Sequence, residues 1–173
     1  MTDKITTDRL HGTAVGAAVG DALGMPLEFG PARRTTELIR DMKTGRLVSG
    51  SFTDDTEMAL ALAESLLESL PLSGESLANH FVKWMNGNPP DVGIHTSAVL
   101  QLVRQGVPWE KASERVQRTH PDSAGNGSVM RCWPVAIAWW NQPQFLITDS
   151  VLQSKVTHAH EECVAGSVFI NLL

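Results

Sequence analysis

Gly50-Ser51-Phe52-Thr53-Asp54-Asp55-Thr56-Glu57 leads without a break into MALALAESLLESL over residues 58–70. Polar side chains in this run reduce to Glu57, Glu64, Ser65, Glu68 and Ser69, a narrow strip at helical spacing. So wide an apolar surface predicts a helix buried on most sides. A buried helix fixes its own first turn in space, so Thr53 to Thr56 stand on a rigid end. Two readings of that end compete. Oxygen ligands in a tight cluster suit a hard divalent cation. Asp54 with Glu57 three residues on is also a capping-box pattern, and acidic side chains near a helix start favour its dipole. A cap needs only one acid, however, and two adjacent carboxylates repel unless a cation or donor offsets them.

The 173 residues suffice for a single α-helical domain over residues 1–173 with a real core. Hydrophobic content of 42% and charged content of 19% exclude a disordered chain. A formal charge of -5 does not suggest a nucleic-acid groove or an anionic membrane surface as partner. Cys132 and Cys163 make no disulfide framework, and a reducing cytoplasm fits that usage. No apolar stretch approaches the ~20 residues of a membrane span. The Ala/Gly run near the start is broken by Asp21, which argues against a signal peptide.

Helical signals follow one another along the chain. Asp8 to Leu23 reads as a first helix with Gly12, Gly16, Gly20 and Gly24 on one face, which predicts another helix packed unusually close. Glu28 then stands between Leu27 and Phe29 in a Gly/Pro-bounded loop. It is either a solvated carboxylate or one held in an apolar wall, a setting suited to proton transfer. A short helix is expected over Thr35 to Lys43. Ser73 caps a helix with Leu77, Phe81, Trp84 and Met85 on its core face, ended by Gly87. Asn88-Pro89-Pro90-Asp91-Val92-Gly93-Ile94-His95-Thr96 is a stiff loop that either aims Asp91 or uses it as a turn residue. Thr96 is expected to cap a helix over Ser97 to Gln105. Pro108 opens the helix Trp109 to Arg118, whose charged side is a solvated face.

Ser123-Ala124-Gly125-Asn126-Gly127-Ser128 is the second dense signal. Gly125, Asn126 and Gly127 permit positive φ, so backbone N–H groups could converge on an anion; the alternative is an ordinary tight turn. A helix over Val129 to Trp140, bent or started at Pro134, would add its N-terminal dipole. Gln144 to Gln153 reads as another helix. His158, His160 and Cys163 open the last one, but their spacing argues against zinc and favours a loop histidine donating to a ligand. The apolar face of Val164, Ala165, Val168, Phe169, Leu172 and Leu173 stops without a helix-closing signal, which suggests a fragment or a chain that docks on something completing it. Roughly seven helices and no alternating strand make the class all-α, a compact many-helix core.

Taken together these motifs resemble the ADP-ribosylglycohydrolase family. The resemblance rests on Asp8-Arg9-Leu10-His11-Gly12 through Gly24, Glu28, Thr53-Asp54-Asp55-Thr56, Pro90-Asp91-Val92-Gly93, Gly125-Asn126-Gly127-Ser128-Val129-Met130-Arg131 and Thr157-His158. The Asp91 loop is most similar to the dinitrogenase-reductase-activating type. The resemblance implies an all-α fold, two Mg2+ (or Mn2+) ions in a cleft, and hydrolysis of the glycosidic bond between ADP-ribose and a side chain, typically arginine. It implies Thr53, Asp54 and Asp55 as metal ligands, Glu28 beside the metals, and Asp91 acting on the ribose or leaving group. Gly125, Asn126, Gly127 and Ser128 would hold the diphosphate, and His158 would line the cleft. The substrate would be an ADP-ribosylated protein or small molecule. Family members carry a second, downstream Asp-x-Asp metal segment that is not among these residues. A missing C-terminal segment or a second chain would supply it. Two other readings remain: an inactive ADP-ribose-binding or structural module on the same scaffold, and a bland helical domain whose acidic pair is only a cap.

Overall fold

A computed structural model describes residues 4–31, 34 and 38–173. Eight α-helices and two short 3-10 turns are found among them, with no strand. The helices are α1 (Lys4–Gly24), α2 (Asp54–Glu68), α3 (Gly74–Asn86), α4 (Ile94–Arg104), α5 (Trp109–Thr119), α6 (Trp133–Trp139), α7 (Pro143–Lys155) and α8 (Glu161–Leu172). The 3-10 turns are Met25–Leu27 and Asn126–Ser128.

α2 is the hub. It packs on α1, α3 and α6, while α4 and α5 extend the α3 side and α7 and α8 extend the α6 side. Met58, Leu62, Leu77, Phe81, Leu100, Val135 and Val156 are fully buried, so the core runs from α2 through α3 and α4 to α6 and the end of α7. Burying a Leu or Phe side chain stabilises by roughly 1.5–3 kcal/mol, which is where the helices acquire most of their stability. One oxygen of a buried acid ties three helices together inside this core, while its other oxygen, Oδ1 of Asp149, has no partner among the described residues. Asp149 accepts from the Leu72 amide at 3.0 Å and from Trp139 Nε1 at 2.7 Å, tying α7 to the start of α3 and to α6.

Several helix limits match the sequence signals. Ser73 Oγ accepts from the Ser76 amide at 3.3 Å and caps α3, and Gly87 ends it. Other expectations are corrected. α4 begins at Ile94, ahead of Thr96; Thr96 lies buried inside its first turn and does not cap it. The helix expected from Val129 begins only at Trp133, because the chain first completes a 3-10 turn over Asn126–Ser128, and Pro134 lies in its first turn. Residues 38–43 are not helical, and Thr35–Glu37 of the helix expected there lie outside the described residues. The glycine face of α1 meets no close neighbour: a Cβ at Gly12, Gly16, Gly20 or Gly24 would find nothing within 4 Å among the described residues. α2 is covered on most sides, as its wide apolar surface predicts, with one exposed strip. Leu60 and Leu67 remain exposed, at 48% and 89%, because no described element lies over that face.

Leu62→Ala is expected to lose about 2–5 kcal/mol in urea unfolding, as for a fully buried leucine. Leu67→Ala, on the exposed face of the same helix, should change stability by no more than ~0.5 kcal/mol.

Candidate active site

The first turn of α2 is held from outside. Asp21, on α1, directs its carboxylate at Thr53 and Thr56. Oδ2 accepts from the Thr53 amide at 2.9 Å, the Thr56 amide at 3.1 Å and the Thr56 hydroxyl at 2.6 Å. Oδ1 accepts from the Thr53 hydroxyl at 2.8 Å. A carboxylate at a helix N-terminus takes up the unpaired leading N–H groups and favours the dipole. The capping box is thereby excluded: Thr53 makes no side-chain cap, and Glu57 accepts from Trp84 Nε1 at 2.8 Å instead.

With capping done by Asp21, Asp54 and Asp55 have no such role. Both are half-buried, and both have pKa values pushed up to about 6. Burial is the largest cause. Asp54 next feels Asp91 and Asp55, and Asp55 next feels Asp21 and Glu28. Five carboxylates thus share one electrostatic neighbourhood that is short of positive charge. The Thr53 hydroxyl belongs to it as well. Its proton is committed to Asp21, so its oxygen offers lone pairs only.

Arg46 spans the two loop carboxylates. One of its terminal nitrogens donates to Glu28 Oε2 at 2.6 Å and to Asp91 Oδ2 at 2.7 Å, with its guanidinium 5.7 Å from the centre of the Phe29 ring. Glu28 is therefore not held in an apolar wall; it is exposed and ion-paired. Among the described residues no three His, Cys, Asp or Glu side chains converge into a ready metal cage.

The second wall is built around His158. Gly125, Asn126, Gly127 and Ser128 show no positive φ, so the expected left-handed nest is absent. The reason for glycine here is close approach. A Cβ at Gly127 would lie 2.6 Å from Cε1 and 2.9 Å from Nε2 of His158. Ser128 turns inward: its buried hydroxyl accepts from Ser154 at 2.9 Å and from Ser167 at 3.3 Å, so it anchors the turn and does not face the cleft. Asn126 is exposed. Cys163 donates to the Gly125 carbonyl at 3.3 Å. His158 is 3% exposed, with its pKa pushed down to about 3 by burial, then by Arg131 and His95. His95 stacks on it with ring centres 4.7 Å apart.

The two walls are joined. Gly127 lies beside Thr96 of the helix that follows the Asp91 loop, and Arg131 reaches from the turn to Met58 of α2 and to Thr157. The Gly125–Ser128 turn is thus linked to α2 through Arg131 and Met58, and to α4 through Thr96.

Comparison with known proteins gives the family. The family model described as ADP-ribosylglycohydrolase matches residues 2–173.

The chain belongs to the ADP-ribosylglycohydrolase family.

Among curated members, ADP-ribosylarginine hydrolase Tri1 of Pseudomonas putida (strain GB-1) is 36% identical, over 95% of this chain and 45% of its own length. ADP-ribosyl-[dinitrogen reductase] glycohydrolase of Rhodospirillum rubrum is 35% identical, over 92% of this chain and 54% of its own length. A solved ADP-ribosylglycohydrolase-related protein complex superposes with a TM-score of 0.78 at 32% identity, covering 96% of this chain and 55% of that one. The chain spans about half the length of these ADP-ribosylglycohydrolase relatives. No helix among the described residues is long and apolar enough to cross a membrane.

Asp21, Arg46, His95, Arg131 and Thr157 were not singled out as site residues by sequence reasoning. Asp21 left one signal, a lone acid inside an Ala/Gly helix. Arg46 and His95 left none, since their partners lie 18 to 62 positions away.

Asp21→Asn puts amide donors against N–H and O–H donors, and is expected to lose roughly 2–4 kcal/mol in denaturant unfolding. The pH dependence has a definite sign. Asp54 and Asp55 bind protons more tightly folded than unfolded, so their contribution is full below the ordinary carboxylate pKa and lost as pH rises through about 6. Stability of the metal-free protein should therefore gain from these two groups as pH falls from 7 towards 4. In thermal melts, the Asp54→Asn/Asp55→Asn double variant should flatten that part of the profile.

Proposed function

We propose that this chain carries the catalytic half of a hydrolase that removes ADP-ribose from modified side chains, with arginine as the attachment residue. The observation behind this reading is the uncompensated charge at the start of α2. Asp54 and Asp55 are pushed up to about 6 on a helix end already capped by another carboxylate, so the pair is left for a cation. The donor set is all hard oxygen, which fits Mg2+ or Mn2+. Thr53, Asp54 and Asp55 would hold the metal, with Glu28 beside it and two ions in the complete site. Bound there, the ions would neutralise the carboxylates and lower the pKa of a bound water.

The rest of the chemistry falls to the chain's own groups. Asp91, on its proline-stiffened loop, would orient the ribose or protonate the departing nitrogen. Glu28 would manage a second proton. The Arg46 contact supports the arginine linkage, since Glu28 and Asp91 already hold a guanidinium between them. Gly125, Asn126 and Gly127 would lie along the diphosphate, and His158 would donate to it. Water adds across the glycosidic carbon–nitrogen bond, and ADP-ribose and arginine leave. The substrate would be an ADP-ribosylated protein or small molecule.

Hydrolysis of ADP-ribosylarginine, read as release of ADP-ribose in Mg2+ or Mn2+, tests the proposal. Asp55→Ala should lower kcat/KM at least ~100-fold, the size expected for losing a metal worth several kcal/mol. ADP-ribose binding that survives both Asp55→Ala and chelation, with no turnover in either protein, would instead indicate a binding module. Isothermal titration of the 173-residue chain should show weak metal binding, because the described carboxylates form no complete cage; tight two-site binding would refute that expectation.

A further inference from the structure

The side chain that binds the two walls together is Arg131, fully buried and without a carboxylate in contact among the described residues. Its Nε donates to Gln153 Oε1 at 3.3 Å. One terminal nitrogen donates to the Gln153 carbonyl at 3.0 Å and to Thr157 Oγ1 at 2.8 Å. The other faces Met58 Sδ at 3.8 Å, and the guanidinium lies 4.3 Å from the centre of the Phe81 ring. Burying a cation this completely is costly, and hydrogen bonds and the Phe81 ring offset that cost here.

The hydrogen bonds permit one direction of proton flow. A guanidinium has donors only, so Thr157 Oγ1 must accept from Arg131. The threonine hydroxyl keeps a single proton, and the partner it has left is His158 Nδ1, at 2.8 Å. Nδ1 is then an acceptor. The ring is neutral at ordinary pH, so its proton resides on Nε2. Nε2 makes no hydrogen bond among the described residues and faces the Gly125–Gly127 turn, where a Cβ on Gly127 would come within 2.9 Å of it. A second histidine braces the relay. His95 Nε2 donates to the Thr157 carbonyl at 3.0 Å, and its Nδ1 accepts from Ser123 Oγ at 3.0 Å.

We propose that Arg131, acting through Thr157, is a positioning residue that locks His158 in the Nε2–H tautomer, so that the His158 side chain presents a fixed donor to an acceptor-only group lying against the Gly125–Gly127 turn. The tautomer lock stands on the protein alone. Only the identity of the acceptor, a phosphate oxygen, rests on the function proposed above.

Long-range 1H–15N correlation spectra of the full 173-residue chain, with His158→Gln used to assign the ring, read the tautomer directly. Wild type and Thr157→Ser should both show a pyridine-like Nδ1 and a protonated Nε2. Thr157→Val, which removes the hydroxyl and nearly preserves shape, should move the ring to the Nδ1–H form or to a mixture. A merely structural role would change melting temperature and leave the tautomer alone. An Nδ1–H ring in the wild type, or a Thr157→Val spectrum identical to wild type, overturns the proposal. If Thr157→Val fails to fold, an Nδ1–H ring in the wild type still overturns the proposal. Calorimetry with ADP-ribose should show Thr157→Val binding about tenfold or more weaker than Thr157→Ser, the loss of one hydrogen bond to a charged group. Absence of ADP-ribose binding by the wild type would count against the proposed function, while the spectra still decide the tautomer.

Discussion

The carboxylate of Asp21 is the contact on which the site's arrangement depends. It reaches from α1 to the first turn of α2 and takes two amides and two hydroxyls there. One interaction thus does three things. It satisfies leading N–H groups that a buried helix end could not leave unpaired. It docks α1 on the hub helix, although α1 offers little apolar surface of its own at its glycine positions. It also frees Asp54 and Asp55 from capping, so that their charges face the loops bearing Glu28 and Asp91.

An electrostatic imbalance follows. Negative charge concentrates on one side of the α2 terminus, and Arg46 offsets the outer part of it by pairing with Glu28 and Asp91. The inner pair is half-buried and uncompensated; burial first, and then the neighbouring carboxylates, hold its protons so high. On the far side of the same helix end lies one positive group, Arg131, inside the core. Its pKa is pushed down to about 9 by burial, yet it stays cationic at neutral pH, and its field opposes a second charge on His158. On the function proposed above, the acidic wall would take cations and the histidine wall an anion.

The surface pattern complements this picture. Gly12, Gly16 and Gly20 of α1 and the outward Leu60 and Leu67 of α2 are uncovered among the described residues, as are Phe169 of α8 and Leu173 just after it. Known ADP-ribosylglycohydrolases matching this chain are about twice as long. The helices of this chain share a core that runs from α2 to α7, and the first turn of α2 stands at its edge.

The all-α class, the placement of α2 and α3, and the ordered run of motifs were legible in the sequence, because periodicity, capping serines and Gly/Pro stops are local properties. Asp54, Asp55, Asp91 and His158 could be picked out for the same reason. What each of them does locally was decided by the fold. That Asp54 does not cap the helix turned on Asp21, more than thirty positions away. The role of Gly127 turned on a histidine side chain packed against it, not on its φ. Glu28 found Arg46, and Ser128 turned inward to Ser154 and Ser167. These outcomes depend on which distant groups share a small, poorly solvated volume. A linear pattern names the chemistry a residue can perform; only folding sets the neighbours and the burial that choose among those possibilities.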